Sequence, residues 1–174
     1  MLKPVLAMAA GLCVCLSAGA VTLPEVPANG SALEDLDRNV FQCRAADQLT
    51  QCRRRGKPSD QIAGESVFEI VLSYRENTLV RTVFTFSEAR LDQFVEQLSR
   101  QLGAPAAGSE GLKAGMGGVF ENRYYVWNRG GKAWFVEQYF ERITDSALWM
   151  MSDSELDRLF AERERQRVRG ARDL

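Results

Sequence analysis

The chain has 174 residues, a formal net charge of −1 and no histidine. The near-neutral balance argues against a general nucleic-acid binder, whose affinity depends on neutralising phosphates with excess positive charge. The missing histidine removes the usual general base of a serine or cysteine nucleophile and the commonest zinc ligand. Composition therefore favours a protein that is not an enzyme, and it predicts no metal and no cofactor.

Residues 1–20 have the order of a secretory signal peptide. Lys3 precedes an apolar run, and the small residues Ala18, Gly19 and Ala20 form a cleavage site. The run is shorter than the roughly 20 residues that a membrane-spanning helix needs, although an uncleaved anchor is an open alternative. We expect a periplasmic or secreted protein with no stable membrane anchor after cleavage. Residues 21–30 then form a linker and residues 31–151 a single domain.

Cys43 and Cys52 are the cysteines that remain after the predicted cleavage. An oxidising compartment favours a disulfide between them. Metal binding is the alternative, but two thiols without histidine cannot complete a four-ligand zinc site unless carboxylates contribute. One continuous helix would hold the two Cα atoms about 13 Å apart on opposite faces, which is farther than a disulfide allows. The chain must therefore turn between the two cysteines.

The segments on either side of the cysteines are predicted to be a helix and a basic loop. A capping box at Ser31 and Glu34, followed by apolar residues at spacings of three and four, predicts a short amphipathic helix over residues 32–41. The basic segment is predicted to be solvated, and its cations are candidates for contact with an anion such as a lipid phosphate. These candidates are Arg53, Arg54, Arg55 and Lys57.

A hairpin and a long helix come next in the chain. Apolar residues alternate over 65–74 and 79–86, on both sides of the turn residues Glu76 and Asn77. Ser87 then precedes an apolar stripe at helical spacing, which Gly103 ends. The glycine-rich residues 104–118 are predicted to be a flexible loop without the spacing of a phosphate-binding loop.

A second hairpin over residues 117–142 and a C-terminal helix complete the predicted elements. Ser152 and Glu155 form another capping box, so residues 152–174 are predicted to be a helix with a charged, solvated tail. Two helix-plus-hairpin units predict an α+β fold. We expect a four-stranded antiparallel sheet with the long helix packed on one face.

The second hairpin contains half of the aromatic residues of the chain. A three-residue turn over 129–131 would place Tyr124 opposite Val136, whereas a two-residue turn would place Tyr124 opposite Glu137 and spread charges over both faces. The three-residue turn is favoured because it separates polarity better. It predicts a core face of Phe120, Tyr124, Val126, Trp134, Val136 and Phe140. The opposite side is the candidate partner-binding face, made of Arg123, Tyr125, Trp127, Phe135, Glu137 and Tyr139.

Several of these features occur together in a known class of proteins. The cysteine pair, the first hairpin, the helix ending in Leu-Gly-Ala-Pro and the aromatic strand with Trp127 resemble small uncharacterised periplasmic proteins of Gram-negative bacteria. The resemblance implies a periplasmic location. It implies no catalytic or binding residues.

These observations favour a non-enzymatic protein that binds another protein, as an envelope accessory factor, an inhibitor or a toxin-immunity protein. The alternative is a small-ligand or lipid-binding periplasmic module, with the glycine-rich loop as a lid over the sheet. RNA binding is disfavoured because Gln138 occupies the position where an RNA-recognition strand needs a stacking aromatic. A carboxylate-based hydrolase is a further alternative, for which no residue can be nominated.

Overall fold

The computed structural model describes residues 22–57, 59–113 and 118–172, so the predicted signal peptide lies outside the described residues. Strands dominate this part of the chain. In chain order they are β1 (Gln42–Ala46), β2 (Leu49–Arg55), β3 (Gln61–Ile62), β4 (Glu65–Ser66), β5 (Glu69–Arg75), β6 (Thr78–Ser87), β7 (Ala106–Lys113), β8 (Val119–Arg129), β9 (Lys132–Glu137) and β10 (Asp145–Ser152). The two α-helices are α1 (Leu91–Leu102) and α2 (Asp153–Arg172).

Eight of the strands form one antiparallel sheet in the order β1-β2-β5-β6-β10-β9-β8-β7, and β3 pairs with β4. The helix α1 packs on one face of the sheet, where Phe94 stacks on Phe86 with ring centroids 4.2 Å apart. The helix α2 packs on the opposite face through Leu156 and Leu159. We call these the α1 face and the α2 face. The predicted four-stranded sheet with a helix on one face is therefore wrong.

The first hairpin and the long helix agree with their sequence patterns. The strands β5 and β6 pair across a turn in which Glu76 and Asn77 have positive φ angles. The helix α1 buries the stripe of Leu91, Phe94 and Leu98, and Gly103 is its C-cap. A 3-10 turn over Glu88–Arg90 precedes this helix. The signals were the apolar stripe of α1 and the turn at Glu76 and Asn77, whereas β5 and β6 are buried along most of their length and not on alternate residues.

The predicted helix over residues 32–41 is wrong, since only the 3-10 turn Leu33–Asp35 forms there. Backbone bonds to the first hairpin replace the helical bonds. The amide of Leu33 donates to the Asn77 carbonyl at 2.8 Å, and the amide of Leu79 donates to the Ser31 carbonyl at 2.9 Å. The segment therefore buries Leu36 against the core without forming a helix.

Four strands of the eight-stranded sheet were absent from the predicted elements, namely β1, β2, β7 and β10. Residues 104–118 contain β7, which pairs with β8 over its whole length, so most of the predicted loop is strand. The strand β10 lies between β6 and β9. Both faces of β10 are buried, since Leu148 packs in the core of the α1 face and Met151 in the core of the α2 face. Strands buried on both faces lack the alternation of polar and apolar residues that reveals a strand in sequence.

The disulfide between Cys43 and Cys52 is confirmed. The two residues lie directly opposite each other in β1 and β2, with their Cα atoms 3.9 Å apart. The chain turns between them at residues 47–48, as the geometric argument requires. Cys52 is fully buried in the core of the α1 face.

The predicted register of the second hairpin is wrong. Tyr124 lies opposite Glu137, and Trp127 lies opposite Trp134. The turn has two residues, Gly130 and Gly131, with φ angles of 61° and 75°. Two consecutive positive φ angles are what a type I′ hairpin turn needs, and its twist matches that of the strands. The register divides the predicted core face, because Tyr124 and Val126 lie on the α2 face and Trp134 and Val136 on the α1 face.

The C-terminal helix begins where its capping box indicates. The amide of Glu155 donates to the Ser152 hydroxyl at 3.2 Å. Leu156, Leu159 and Phe160 pack on the sheet, so α2 belongs to the same compact unit as the strands. No helix in the described ranges combines the length and the apolarity that crossing a membrane requires.

Candidate functional site

The six residues of the predicted partner-binding face do not share one surface. Trp127 is buried on the α1 face, where its indole donates to the Gly103 carbonyl at 2.8 Å. Tyr125 packs on the same core, and Arg123 pairs with Asp92 of α1 at 3.2 Å. The other three residues lie elsewhere: Phe135 and Glu137 are buried on the α2 face, and Tyr139 follows the end of β9.

The predicted anion contacts are also divided, because Arg53, Arg54 and Arg55 belong to a strand and alternate between its faces. Arg54 is buried and pairs with Asp60 at 2.6 Å. Burial opposes ionisation of Asp60, but the bond from Arg54 and the backbone amide of Lys57 outweigh it and lower the pKa of that carboxyl. Arg53 pairs with Glu69 and Glu141. Residues 53–55 are therefore strand and not loop, and two of the four predicted cations are paired within the fold.

A cleft of about 910 Å³ lies on the α2 face, between the hairpin of β7 and β8 and the C-terminal half of α2. The strand β8 creates it by extending beyond β9. Among the described strands, residues 119–123 pair with β7 alone, residues 124–126 pair with both β7 and β9, and residues 127–129 pair with β9. Past the end of β9, Asn122 holds the chain by accepting a hydrogen bond from the Tyr139 amide at 2.8 Å. The hairpin consequently projects as one wall of the cleft.

Gly108 of β7 allows an aromatic cluster to form beside this wall. It lies opposite Tyr124, and a Cβ atom at this position would overlap the Tyr124 ring. The ring instead rests on the glycine and reaches Phe160 of α2, with centroids 5.9 Å apart. Packing of an aromatic side chain over a glycine on the neighbouring strand compensates for the missing side chain.

A buried ion pair forms the floor of the cleft. Nη2 of Arg163 lies 3.0 Å from Oε2 of Glu137, which has a side chain only 4% exposed. The Trp149 indole donates to the same carboxylate at 2.6 Å. Burial raises the pKa of the Glu137 carboxyl, although Arg163 and Trp149 act in the opposite direction. The guanidinium also lies over the rings of Phe135 and Trp149, at 5.2 and 5.7 Å from their centroids.

The rim of the cleft combines acidic and apolar side chains. Four carboxylates line the cleft against two guanidiniums, those of Arg163 and Arg167. Glu110 pairs with Arg163 at 3.2 Å and keeps 38% of its side chain exposed. Leu112 and Phe120 are paired across β7 and β8, and both are exposed large hydrophobic residues, at 37% and 45%. An exposed apolar patch with a polar border is typical of an interaction surface.

The buried carboxyl at the floor of the cleft is already paired. Arg163 and Trp149 both bond to the carboxyl of Glu137. The Glu137 side chain is only 4% exposed, so little of it is accessible to a substrate. Within the described ranges, no three His, Cys, Asp or Glu side chains come together as a metal site. What the cleft offers to a ligand is an apolar lip, a partly exposed carboxylate at Glu110 and the backbone of β7.

Sequence reasoning missed Glu110, Trp149 and Arg163 as site residues. Glu110 was placed in a loop, and Trp149 belongs to a strand that was not predicted. A signal for Arg163 was present, because it follows Leu156, Leu159 and Phe160 at the spacing of one helix face. Continuing that stripe into the charged tail would have indicated that the tail packs on the sheet.

None of the protein-family models, curated proteins or solved structures compared with the chain matches it. The resemblance to small periplasmic proteins of Gram-negative bacteria accordingly stays a prediction.

Proposed function

We propose that the protein acts without catalysis, by binding a segment of another protein in the cleft between the β7–β8 hairpin and α2. The observation that carries the proposal is the exposed lip of Leu112 and Phe120 beside a cleft with excess carboxylates. We place this activity in the periplasm or outside the cell. The Cys43–Cys52 disulfide supports that location, because disulfides persist in oxidising compartments.

The cleft is open to solvent, which favours a segment of another polypeptide over a small molecule as its ligand. Pockets for small molecules bury roughly 70–90% of the ligand surface. Here the side chains of Glu141 and Glu164 on the rim are 47% and 57% exposed. An open groove that runs along a strand is the geometry in which extended peptides are recognised.

A small ligand or lipid is the second candidate, because a volume of about 910 Å³ lies within the range of small-molecule pockets. This alternative used the glycine-rich segment as a lid, but residues 106–113 of that segment are a strand paired with β8. Native mass spectrometry of protein purified from its own organism distinguishes the two candidates. A retained small molecule would favour this alternative over a protein partner.

Site-specific photo-cross-linking tests the proposed function. We would replace Phe120 with p-benzoylphenylalanine and use the same replacement at Phe68 as the matched control, since the two side chains are 45% and 41% exposed. In the organism that makes the protein, the Phe120 probe is expected to capture a discrete protein that the Phe68 probe does not. Glu110→Lys in the same chain should suppress that capture. Identical products from both probes would contradict the proposal.

A further inference from the structure

The strand β7 has an exposed edge. Among the residues 22–57, 59–113 and 118–172, it is the last strand of the sheet and pairs with β8 alone. In the part of the chain that the structure describes, the hydrogen bonds outside helices and strands include none from the backbone of residues 106–113. Most of its side chains are small, in the order Ala-Ala-Gly-Ser-Glu-Gly-Leu-Lys. Exposed edges are usually protected by short length, charges, proline or a bulge, and only Glu110 and Lys113 of this strand carry charge.

This open edge is continuous with the cleft. The pairing of β7 with β8 puts Gly108, Glu110 and Leu112 on the side of Tyr124, which is the α2 face. Four of the residues that line the cleft belong to β7 itself, namely Ser109, Glu110, Gly111 and Leu112. A strand added along β7 would therefore direct every second side chain toward the cleft.

We infer that β7 is the docking edge for an extended segment of a partner protein, which adds to the sheet as a ninth strand. The segment carries a cationic side chain opposite Glu110 and an apolar side chain opposite Leu112. Charge complementarity supports this choice, because four carboxylates face two guanidiniums in the cleft and Glu110 remains 38% exposed. The inference rests on the proposed function and names the chemistry of the partner at that site.

Synthetic peptides test the strand addition. The probe is an acetylated, amidated peptide Thr-Val-Thr-Lys-Thr-Tyr-Thr, which in antiparallel pairing places Val opposite Leu112, Lys opposite Glu110 and Tyr opposite Gly108. Its charge-reversed control has Glu in place of Lys. Isothermal titration calorimetry on the full chain is expected to show about tenfold tighter binding of the Lys peptide, because opposite charges attract and like charges repel across neighbouring strands. Glu110→Lys should reverse this preference, and Glu110→Gln should abolish it.

Backbone methylation separates strand addition from side-chain binding. We would prepare two N-methylated forms of the Lys peptide, one with methyl groups on the odd residues and one with methyl groups on the even residues. Successive amides of a strand point to opposite edges, so one form loses its bonds to β7 and the other does not. Strand addition predicts that one form no longer binds and that the other binds normally. Amides of β7 should also become protected from hydrogen exchange when the unmodified peptide is bound.

Other results would contradict the strand addition. Equal binding of the two methylated forms, or no binding of the Lys peptide up to about 1 mM, would overturn the strand addition. If the protein is a dimer through β7 and the peptide converts it to a monomer, the occupant of the edge is a second copy of this chain and not another protein. Cross-linking at Phe120 needs no strand pairing. If the Phe120 probe captures a partner but the two methylated peptides bind equally, the proposed function stands and the strand addition does not.

Discussion

Arg163 in α2 and Glu137 in β9 form a salt bridge of 3.0 Å across the α2 face, and it connects the C-terminal helix to the floor of the cleft. The same guanidinium reaches Glu110 in the edge strand. One side chain therefore holds together three elements that are distant in sequence. The wall and the floor of the cleft depend on it.

Removing the cation from this pair should destabilise the fold. Arg163→Met leaves Glu137 buried without its counter-charge, so the free energy of unfolding at neutral pH is expected to fall by on the order of 3 kcal/mol. Urea denaturation measures this change. Arg167→Met is the control, because the Arg167 side chain is 77% exposed, and it should change the stability by no more than about 0.5 kcal/mol. Equal effects of the two substitutions would argue against a structural role for the pair.

The carboxyl of Glu137 should make stability fall as pH rises. Burial raises its pKa in the folded state, so the folded chain retains a proton that the unfolded chain has already lost. The free energy of unfolding therefore declines from the ordinary carboxyl pKa, about 4.3, up to the raised folded-state pKa. Glu137→Gln has no such proton, so urea denaturation across this window should show the wild type losing stability relative to the variant. A constant difference between them would contradict the prediction.

The carboxyl of Glu155 should act in the opposite direction. Burial opposes its ionisation, but bonds from Arg75 and Arg81 outweigh it and lower the pKa in the folded state. Its contribution is present above the ordinary carboxyl pKa and is lost as pH falls through the lowered folded-state pKa. Glu155→Gln leaves Arg81, which is 6% exposed, without its main partner and should cost about 3 kcal/mol at neutral pH.

The same urea titrations check this second carboxyl, because the deficit of Glu155→Gln should shrink as the solution becomes acidic. The two variants are controls for each other. If the differences in unfolding free energy between the wild type and each variant changed in the same direction with pH, one of the two predicted pKa directions would be wrong.

Gly108→Ala should displace the Tyr124 ring, since the new Cβ atom would overlap it. The expected loss is about 1 kcal/mol of unfolding free energy, together with the contact between Tyr124 and Phe160. A double-mutant cycle tests the cause: in a Tyr124→Ala background the same glycine substitution should cost almost nothing. Gly111→Ala is the matched control, because its nearest neighbour is the Val119 side chain at 3.3 Å. A cost independent of Tyr124 would contradict this account.

Part of the fold could be predicted from local patterns. The first hairpin, α1 with its glycine cap, and the start of α2 at Ser152 each follow from a single period or from local turn and capping chemistry. The turn between the two cysteines followed from bond geometry alone. In these elements local preference and tertiary burial agree, which is why the sequence suffices.

The candidate site could not be predicted in the same way. The register of the second hairpin was rejected because it placed Tyr124 opposite Glu137 and spread charges over both faces of the hairpin. In the folded chain Arg163 docks from α2 and supplies the counter-charge of the buried Glu137. The strand β7 has small residues with little strand preference, and its pairing depends on β8 and on the ring of Tyr124.

By itself, the sequence determined the first hairpin with its turn, the helix α1, the start of α2 and the pairing of Cys43 with Cys52. Only the tertiary structure decided that eight strands join into one sheet, that both faces are covered and that β7 is the last of the described strands at its edge. The physical reason is the range of the interactions. Helix periods, turns and caps act over a few residues, whereas the partner of a strand edge and the counter-charge of a buried carboxylate come from residues far along the chain.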